Sequence, residues 1–344
     1  MIQGISIENF RVFHKTEING FAQINLLGGK NNSGKTCLLE ALYSALKGNL
    51  DMSINLRQQQ LPLNDATKNL FYNLDTNQII SLNVNTENQN IYQIHGKYNT
   101  SELKLAKKEI PIKRGEKTST ISIKEVKSFQ TMEMREEIEI IDFWKRNKLS
   151  LILSKDEQYP IKLNLSAEFD RADIKGESDL ILKAIQIIDP SVSEIKTYAT
   201  FAETVFLRRK DEKAAFPISN YGDALQKIMR YIVTIVNLEN GQPEGDKFLL
   251  IDEIENGLHH TVQKEFWEML FKLAVEFNIQ IFATTHSREM IEAFAEIAEK
   301  PEFIGKGLFF EMFRHFKTNE ILANKISIDA LDYKLQNDKA LRGE

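Results

Sequence analysis

The sequence predicts an α/β fold with parallel strands at its centre, and three stretches carry that prediction. Ile24-Asn25-Leu26-Leu27 is a short apolar run that leads into Gly29-Lys30-Asn31-Asn32-Ser33-Gly34-Lys35-Thr36. Leucines at 38, 39, 42 and 46 then lay one apolar stripe along a helix that Gly48 can stop. Phe248-Leu249-Leu250-Ile251 is wholly apolar and closes on Asp252-Glu253, and Ile279 to Ala283 is a similar run ending in Thr284-Thr285-His286-Ser287. Apolar runs without alternation fit strands covered on both faces. Such sheets place their ligands at the carboxyl ends of the strands.

Taken in order, the chain opens on Ile2 to Phe10, whose period-two alternation predicts a half-buried strand. Thr16-Glu17-Ile18 predicts a second strand. Residues 51–70 are polar and Asn/Gln-rich and predict irregular backbone. Ile79 to Val84 and Ile91 to Ile94 flank a polar stretch and predict a hairpin. Lys104 to Lys127 is rich in lysine within a net acidic chain, which makes it either a solvated β-rich surface or a contact for a polyanion. Leu151 to Leu153 and Ile161 to Leu165 predict further strands, and Leu180 to Ile188 a helix ended by Pro190. Ser219-Asn220-Tyr221-Gly222-Asp223 opens a helix whose face is Leu225, Ile228, Met229, Ile232, Ile235 and Val236. Phe266 to Phe277 marks another helix, Ser287 caps the one carrying Met290, Ile291 and Phe294, and Leu308 to Met312 with Glu320 to Ala323 predicts an edge hairpin. A short polar helix follows around Leu331 to Leu335.

The chemistry follows from residue type. Gly29 to Thr36 fits G-x-x-x-x-G-K-[ST], a loop whose backbone N–H groups cradle phosphate at a helix N-terminus. Gly29 and Gly34 permit backbone angles that a Cβ resists. Lys35 is a point charge for the β- and γ-phosphates, and the Thr36 hydroxyl is a hard ligand for Mg²⁺. Asp252 is placed to hold the same metal, and Glu253 to orient and polarise an attacking water. His286 ends a strand on the side where a γ-phosphate sits, which gives it a catalytic or sensing role. Ser219 and Gly222 suit a helix entrance that offers N–H groups and a hydroxyl to an anion.

Composition narrows the classes. The 344 residues are 42% hydrophobic and 27% charged, an ordinary globular balance with ample core. A net charge of −5 argues against a generic polyanion binder. Cys37 is the single cysteine, so no intrachain disulfide forms and a reducing cytoplasm is expected. Met1 to Phe10 lacks a signal pattern, and no apolar run reaches the roughly 18 residues that span a membrane. No internal repeat and no sustained heptad appears. No Asn-Lys-x-Asp motif points to guanine.

The four motifs, in this order, resemble the ABC-type ATPase head. Gly28 to Thr36, Ser219 to Asp223 and Ala283 to Ser287 resemble the overcoming-lysogenisation-defect (OLD) group within it, in the wider company of SMC and RecF heads. Asp223-Ala224 stands where that group has Asp-Gly, and the signature lacks the Leu-Ser-Gly-Gly-Gln of transporters. The resemblance implies a P-loop head with a mixed central sheet and N-terminal antiparallel strands. Residues 1–50 and 201–344 would form the head, and 51–200 an inserted β-rich and helical lobe. It implies that Asn31, Asn32, Ser33, Gly34, Lys35 and Thr36 bind phosphates, Thr36 and Asp252 bind Mg²⁺, Glu253 activates water and His286 contacts the γ-phosphate. Ser219 and Gly222 of a second copy would reach that same phosphate across a homodimer or higher oligomer. Arg11 and Phe13 would lie by the nucleoside. Gln58, Gln59, Gln60 and Gln93 are candidates for the metal-reaching glutamine. Heptads are lacking, and only about 180 residues separate Thr36 from Ser219, which excludes long coiled-coil arms. The chain stops at Glu344 without a Toprim nuclease domain, so any effector, a Toprim-type nuclease included, is expected on a separate polypeptide. The resulting expectation is an ATP- and Mg²⁺-dependent sensor or clamp in antiviral defence or DNA processing. The alternatives are a RecF-like repair ATPase that binds DNA through Lys104 to Lys127, and a nucleotide-gated scaffold with slow turnover.

Overall fold

The computed structural model describes residues 1–47, 50, 53, 61, 63–87, 91–96, 111–114, 117–120, 148–152, 164–201, 204–238 and 247–337. The first strands are β1 (Ile2–Phe10), β2 (Phe13–Asn19), β3 (Ile24–Gly28), β4 (Ile80–Thr86) and β5 (Ile91–Gly96). Then come β6 (Pro111–Arg114), β7 (Lys117–Thr120), β8 (Lys148–Ile152), β9 (Val192–Lys196), β10 (Phe206–Arg209) and β11 (Phe216–Pro217). The last four are β12 (Lys247–Ile251), β13 (Ile279–Thr284), β14 (Gly307–Arg314) and β15 (Ile321–Ile326). The helices are α1 (Lys35–Lys47), α2 (Leu63–Lys68), α3 (Leu165–Asp173) and α4 (Ser178–Ile188). They continue with α5 (Asp223–Leu238), α6 (Gln263–Glu276), α7 (Arg288–Ala298) and α8 (Ile328–Gln336).

A six-stranded sheet of order β15-β14-β3-β13-β12-β8 forms the centre, parallel throughout except where β14 and β15 make the edge hairpin. Every residue of β3 and β13 is buried, as the unbroken apolar runs require. Alternate side chains serve two cores. Ile24, Leu26, Leu249, Ile251, Ile281 and Ala283 pack under α3 to α7. Leu27, Phe248, Leu250 and Phe282 pack on the other face, against α1 and the strands β1, β2 and β4. Gln280 is polar within this apolar strand, and its amide is satisfied. It accepts from Ile2 N at 2.7 Å and donates to Ile2 O at 2.9 Å and Ala22 O at 2.8 Å, which fastens β1 to the central sheet.

The antiparallel sheet β2-β1-β4-β5 contains the expected N-terminal strands and hairpin. The chain departs from expectation in two places. Residues 63–68 of the stretch expected to be irregular form α2, which buries Ala66. The strand expected over Ile161 to Leu165 is not one at its described end. Asn164 is an N-cap whose side chain accepts from Ala167 N at 3.0 Å, and Leu165 begins α3. Leu165, Phe169 and Ala172 are buried at helical spacing, so the period-two alternation upstream stops at the cap. A small sheet of order β11-β10-β9, which no sequence pattern announced, leads directly into the segment before α5. No described helix is long and apolar enough to cross a membrane.

Candidate functional site

The β3–α1 loop has the backbone that its glycines permit. Gly29 has φ 138°, and a Cβ there would stand 2.1 Å from the Met312 carbonyl oxygen of β14, so only glycine fits. Asn31 and Asn32 are exposed, while Ser33 and Gly34 are buried. The Ser33 hydroxyl is buried with no hydrogen-bond partner among the described residues. A buried polar atom without a partner inside a loop of N–H donors fits a polar ligand such as phosphate. Lys35 folds over this loop and donates to the carbonyls of Gly29 at 2.6 Å and Lys30 at 2.9 Å. Burial lowers its pKa, while the carboxylates of Glu255, Asp252 and Glu253 oppose that fall.

Those carboxylates come from the loop after β12. Thr36 at the start of α1 donates to both Asp252 oxygens, at 3.0 and 3.1 Å. Thr284 at the end of β13 donates to Asp252 Oδ1 at 2.7 Å, and its own oxygen accepts from Glu253 N at 2.8 Å. One chain of hydrogen bonds therefore ties the phosphate loop to the acid pair through two neighbouring strands. Burial pushes the Asp252 carboxyl above its ordinary pKa, and the two threonine bonds work against that. The Thr36 hydroxyl and the Asp252 carboxylate are two adjacent hard oxygens. Among the described residues no group of three or more His, Cys, Asp or Glu forms a metal cage. That donor set fits Mg²⁺, which takes few protein ligands and keeps phosphate oxygens and water.

Glu253 has φ 48°, unusual for a residue with a side chain, and holding it there costs about 1–3 kcal/mol. Besides the bond from the Glu253 N–H to Thr284, Asn256 Nδ2 donates to Glu253 Oε2 at 2.7 Å, and Lys227 of α5 donates to Asn256 O at 2.7 Å and Glu253 O at 3.3 Å. His286 follows β13, with a half-exposed ring whose Nδ1 lies 2.9 Å from Glu255 Oε1. The structure thus brings Ser33, Gly34, Lys35, Thr36, Asp252, Glu253 and His286 to the carboxyl ends of β3, β12 and β13.

Ser219 and Gly222 make no hydrogen bond to this cluster among the described residues. They sit in a short 3-10 turn, Ile218–Tyr221, and its cap before α5, and both are exposed. A Cβ on Gly222, where φ is 93°, would meet nothing within 4 Å. Arg11, expected by the nucleoside, is buried within the chain. Its guanidinium is 4% exposed and pairs with Glu40 of α1 at 2.7 Å. It also donates to Ser53 O at 2.7 Å. Phe13 is wholly buried under Gly34. Gln58, Gln59 and Gln60 lie outside the described residues, as does the Gln93 side chain. Most of Lys104 to Lys127 lies outside them too, apart from the backbone of β6 and β7.

Sequence reasoning did not single out Thr284, Glu255, Asn256 or Lys227. Each lies within or beside a motif, and a polar residue closing a buried apolar strand was the available signal.

Residues 24–292 match the family described as "AAA domain, putative AbiEii toxin, Type IV TA system". The chain is 25% identical over 386 aligned positions to the ATP/GTP phosphatase of Helicobacter pylori, covering 100% of both. A 57-residue stretch, 17% of this chain and 26% of the relative, is 37% identical to an uncharacterized protein of Methanocaldococcus jannaschii named MJECL10. Among solved structures, the SMC head domain of Thermotoga maritima superposes with TM-score 0.51 at 10% identity, over 95% of this chain and 99% of that one. An Smc head bound to the C-terminal winged-helix domain of ScpA gives 0.53 at 11% identity, over 95% and 98%. The fold is that of an SMC-head-like P-loop ATPase. The chain belongs to the AAA domain family of that description, and it is an ATPase.

Proposed function

We propose that this chain binds ATP with Mg²⁺ and hydrolyses it between two copies of itself, as an OLD-like sensor or clamp subunit whose effector is a separate polypeptide. One observation carries the nucleotide reading: Thr36, Asp252, Thr284 and Glu253 form a single hydrogen-bonded chain from the phosphate loop to the acid that follows β12. The loop N–H groups and Lys35 hold the triphosphate, Thr36 and Asp252 offer oxygens to the metal, and Glu253 takes the proton of the attacking water. Bound there, Mg²⁺ neutralises charge on the phosphate oxygens. His286 contributes a ring nitrogen at the γ-phosphate. The exposure of Ser219 and Gly222 supports the second half of the reading, because donors open to solvent can meet the cluster of another copy. The name of the Helicobacter relative, an ATP/GTP phosphatase, supports triphosphate hydrolysis and makes GTP the competing substrate to assay. The sensor role in defence or DNA processing rests on the motif resemblance alone.

Glu253→Gln tests this reading. The variant keeps the shape of the site and lacks the base, so turnover falls about 10²–10⁴-fold. ATP then accumulates in the closed dimer, and size-exclusion with ATP and Mg²⁺ shows a species of doubled mass. A variant that stays monomeric with ATP and turns over normally ends the assignment.

A further inference from the structure

Glu255 lies three residues past Asp252, and neither the phosphate nor the metal requires it. Its carboxylate is 10% exposed. One oxygen, Oε1, receives the backbone N–H of His286 at 2.9 Å and lies 2.9 Å from His286 Nδ1. The other, Oε2, is buried with no partner among the described residues. A carboxylate has no proton to give, so the short contact places the proton on Nδ1. Nε2 is then the ring nitrogen left for a substrate, and with a proton of its own it donates to a phosphate oxygen. The backbone bond adds a second restraint, because it fixes the point at which the chain leaves β13. Both donors converge on one oxygen of a nearly buried side chain that has little freedom to move.

We propose that Glu255 is the positioning residue of His286: it sets which ring nitrogen meets the substrate and holds the ring at the mouth of the phosphate loop. This rests on His286 acting at the γ-phosphate, as proposed above. Carboxylate partners of functional histidines do comparable work at other sites, where they fix tautomer and orientation. On this reading the loss of Glu255 acts on turnover through His286, while the loop and Lys35 still bind ATP.

The experiment is a double-mutant cycle on the full-length chain. It measures kcat and, by equilibrium titration, ATP affinity for Glu255→Ala, His286→Ala and the double variant. Glu255→Ala is expected to lower kcat about 10- to 100-fold with ATP affinity within about threefold of wild type. In the His286→Ala background the same change is expected to have no further effect. Glu255→Gln, whose amide oxygen still accepts both N–H groups, is expected to regain most of the turnover. If Glu255→Ala does not fold, Glu255→Met, which fills the same volume, takes its place in the cycle. Additive losses in the double variant, or full turnover in Glu255→Ala, overturn the proposal while leaving His286 its role. Full turnover in His286→Ala removes both.

Discussion

Two regions carry the motifs of this chain, and they are built in opposite ways. The acid-pair cluster is inward-looking: Asp252 is 6% exposed, and every named bond of Thr36, Asp252 and Thr284 goes to another member of the cluster. The signature turn is outward-looking: Ser219, Asn220 and Gly222 are exposed, while Ile218 is buried and the half-buried Tyr221 bonds to Leu207 and Glu212. The cluster has the groups to bind and cleave a triphosphate. The turn has groups to bind an anion, and they are open to solvent. In the dimer proposed above, the turn of one copy serves the cluster of the other.

The largest effects test that division. Lys35→Ala removes the ammonium from the phosphate loop, and Ser219→Arg fills the exposed turn with a bulky cation. Each is expected to lower ATP hydrolysis by about 10³-fold. Only the first should abolish ATP binding to the isolated chain. The decisive measurement mixes the two inactive proteins. If site and signature come from different copies, each mixed dimer contains one intact site, and activity returns to about a quarter of wild type at most. No recovery on mixing would mean that the turn serves its own chain, and the comparison would collapse.

The next experiment asks what supports the inward-looking side. Arg11 and Glu40 form an ion pair with both side chains at most 4% exposed, joining the β1–β2 corner to the helix that follows the phosphate loop. Arg11→Ala takes the guanidinium away from a buried carboxylate, which costs about 3 kcal/mol of stability. Denaturant unfolding measures the loss, and ATP affinity measured below the transition is expected to hold. Weakened ATP binding at unchanged stability would return Arg11 to the nucleoside.

The cluster was largely legible in the sequence, and the reason is chemical. Gly29 to Thr36 and Asp252-Glu253 are contiguous strings whose residue types and spacing suit a phosphate and a metal, so the string itself carries the geometry. Glu255 and Thr284 were not legible, because their roles depend on pairs 31 and 32 residues apart that only the parallel register of β12 and β13 creates. Arg11 shows the converse. A cation near a phosphate loop reads as a ligand contact until the fold shows it buried against Glu40, 29 residues away. The small sheet of β9, β10 and β11 escaped because its strands are two to five residues long, too short for a period to register.

The smallest effect belongs to the outward-looking side. The Tyr221 hydroxyl lies 2.8 Å from Leu207 O and 2.6 Å from Glu212 Oε2, and the Arg209 guanidinium stacks on its ring at 4.7 Å. Both oxygens are acceptors, so the phenol must keep its proton to bind either. Burial, and then the bond to Glu212, push its pKa from 10.0 to about 12. A folded-state pKa raised above the unfolded one contributes stability that is fully present below about pH 10 and is lost as the pH climbs towards 12. Tyr221→Phe is therefore expected to cost about 1 kcal/mol at neutral pH. Its stability gap from wild type should close between pH 10 and 12, the window in which the tyrosine ionises. Comparing the two proteins cancels the other groups that titrate there. The turn is then held by the Tyr221 phenol and by buried Ile218, whose N–H donates to Val205 O at 3.0 Å, against a web of buried bonds around Asp252. Tyr221→Phe should loosen the signature and lower ATP turnover while leaving ATP binding to the isolated chain untouched. A loss of ATP binding in that variant would show that the turn and the cluster are one site within one chain.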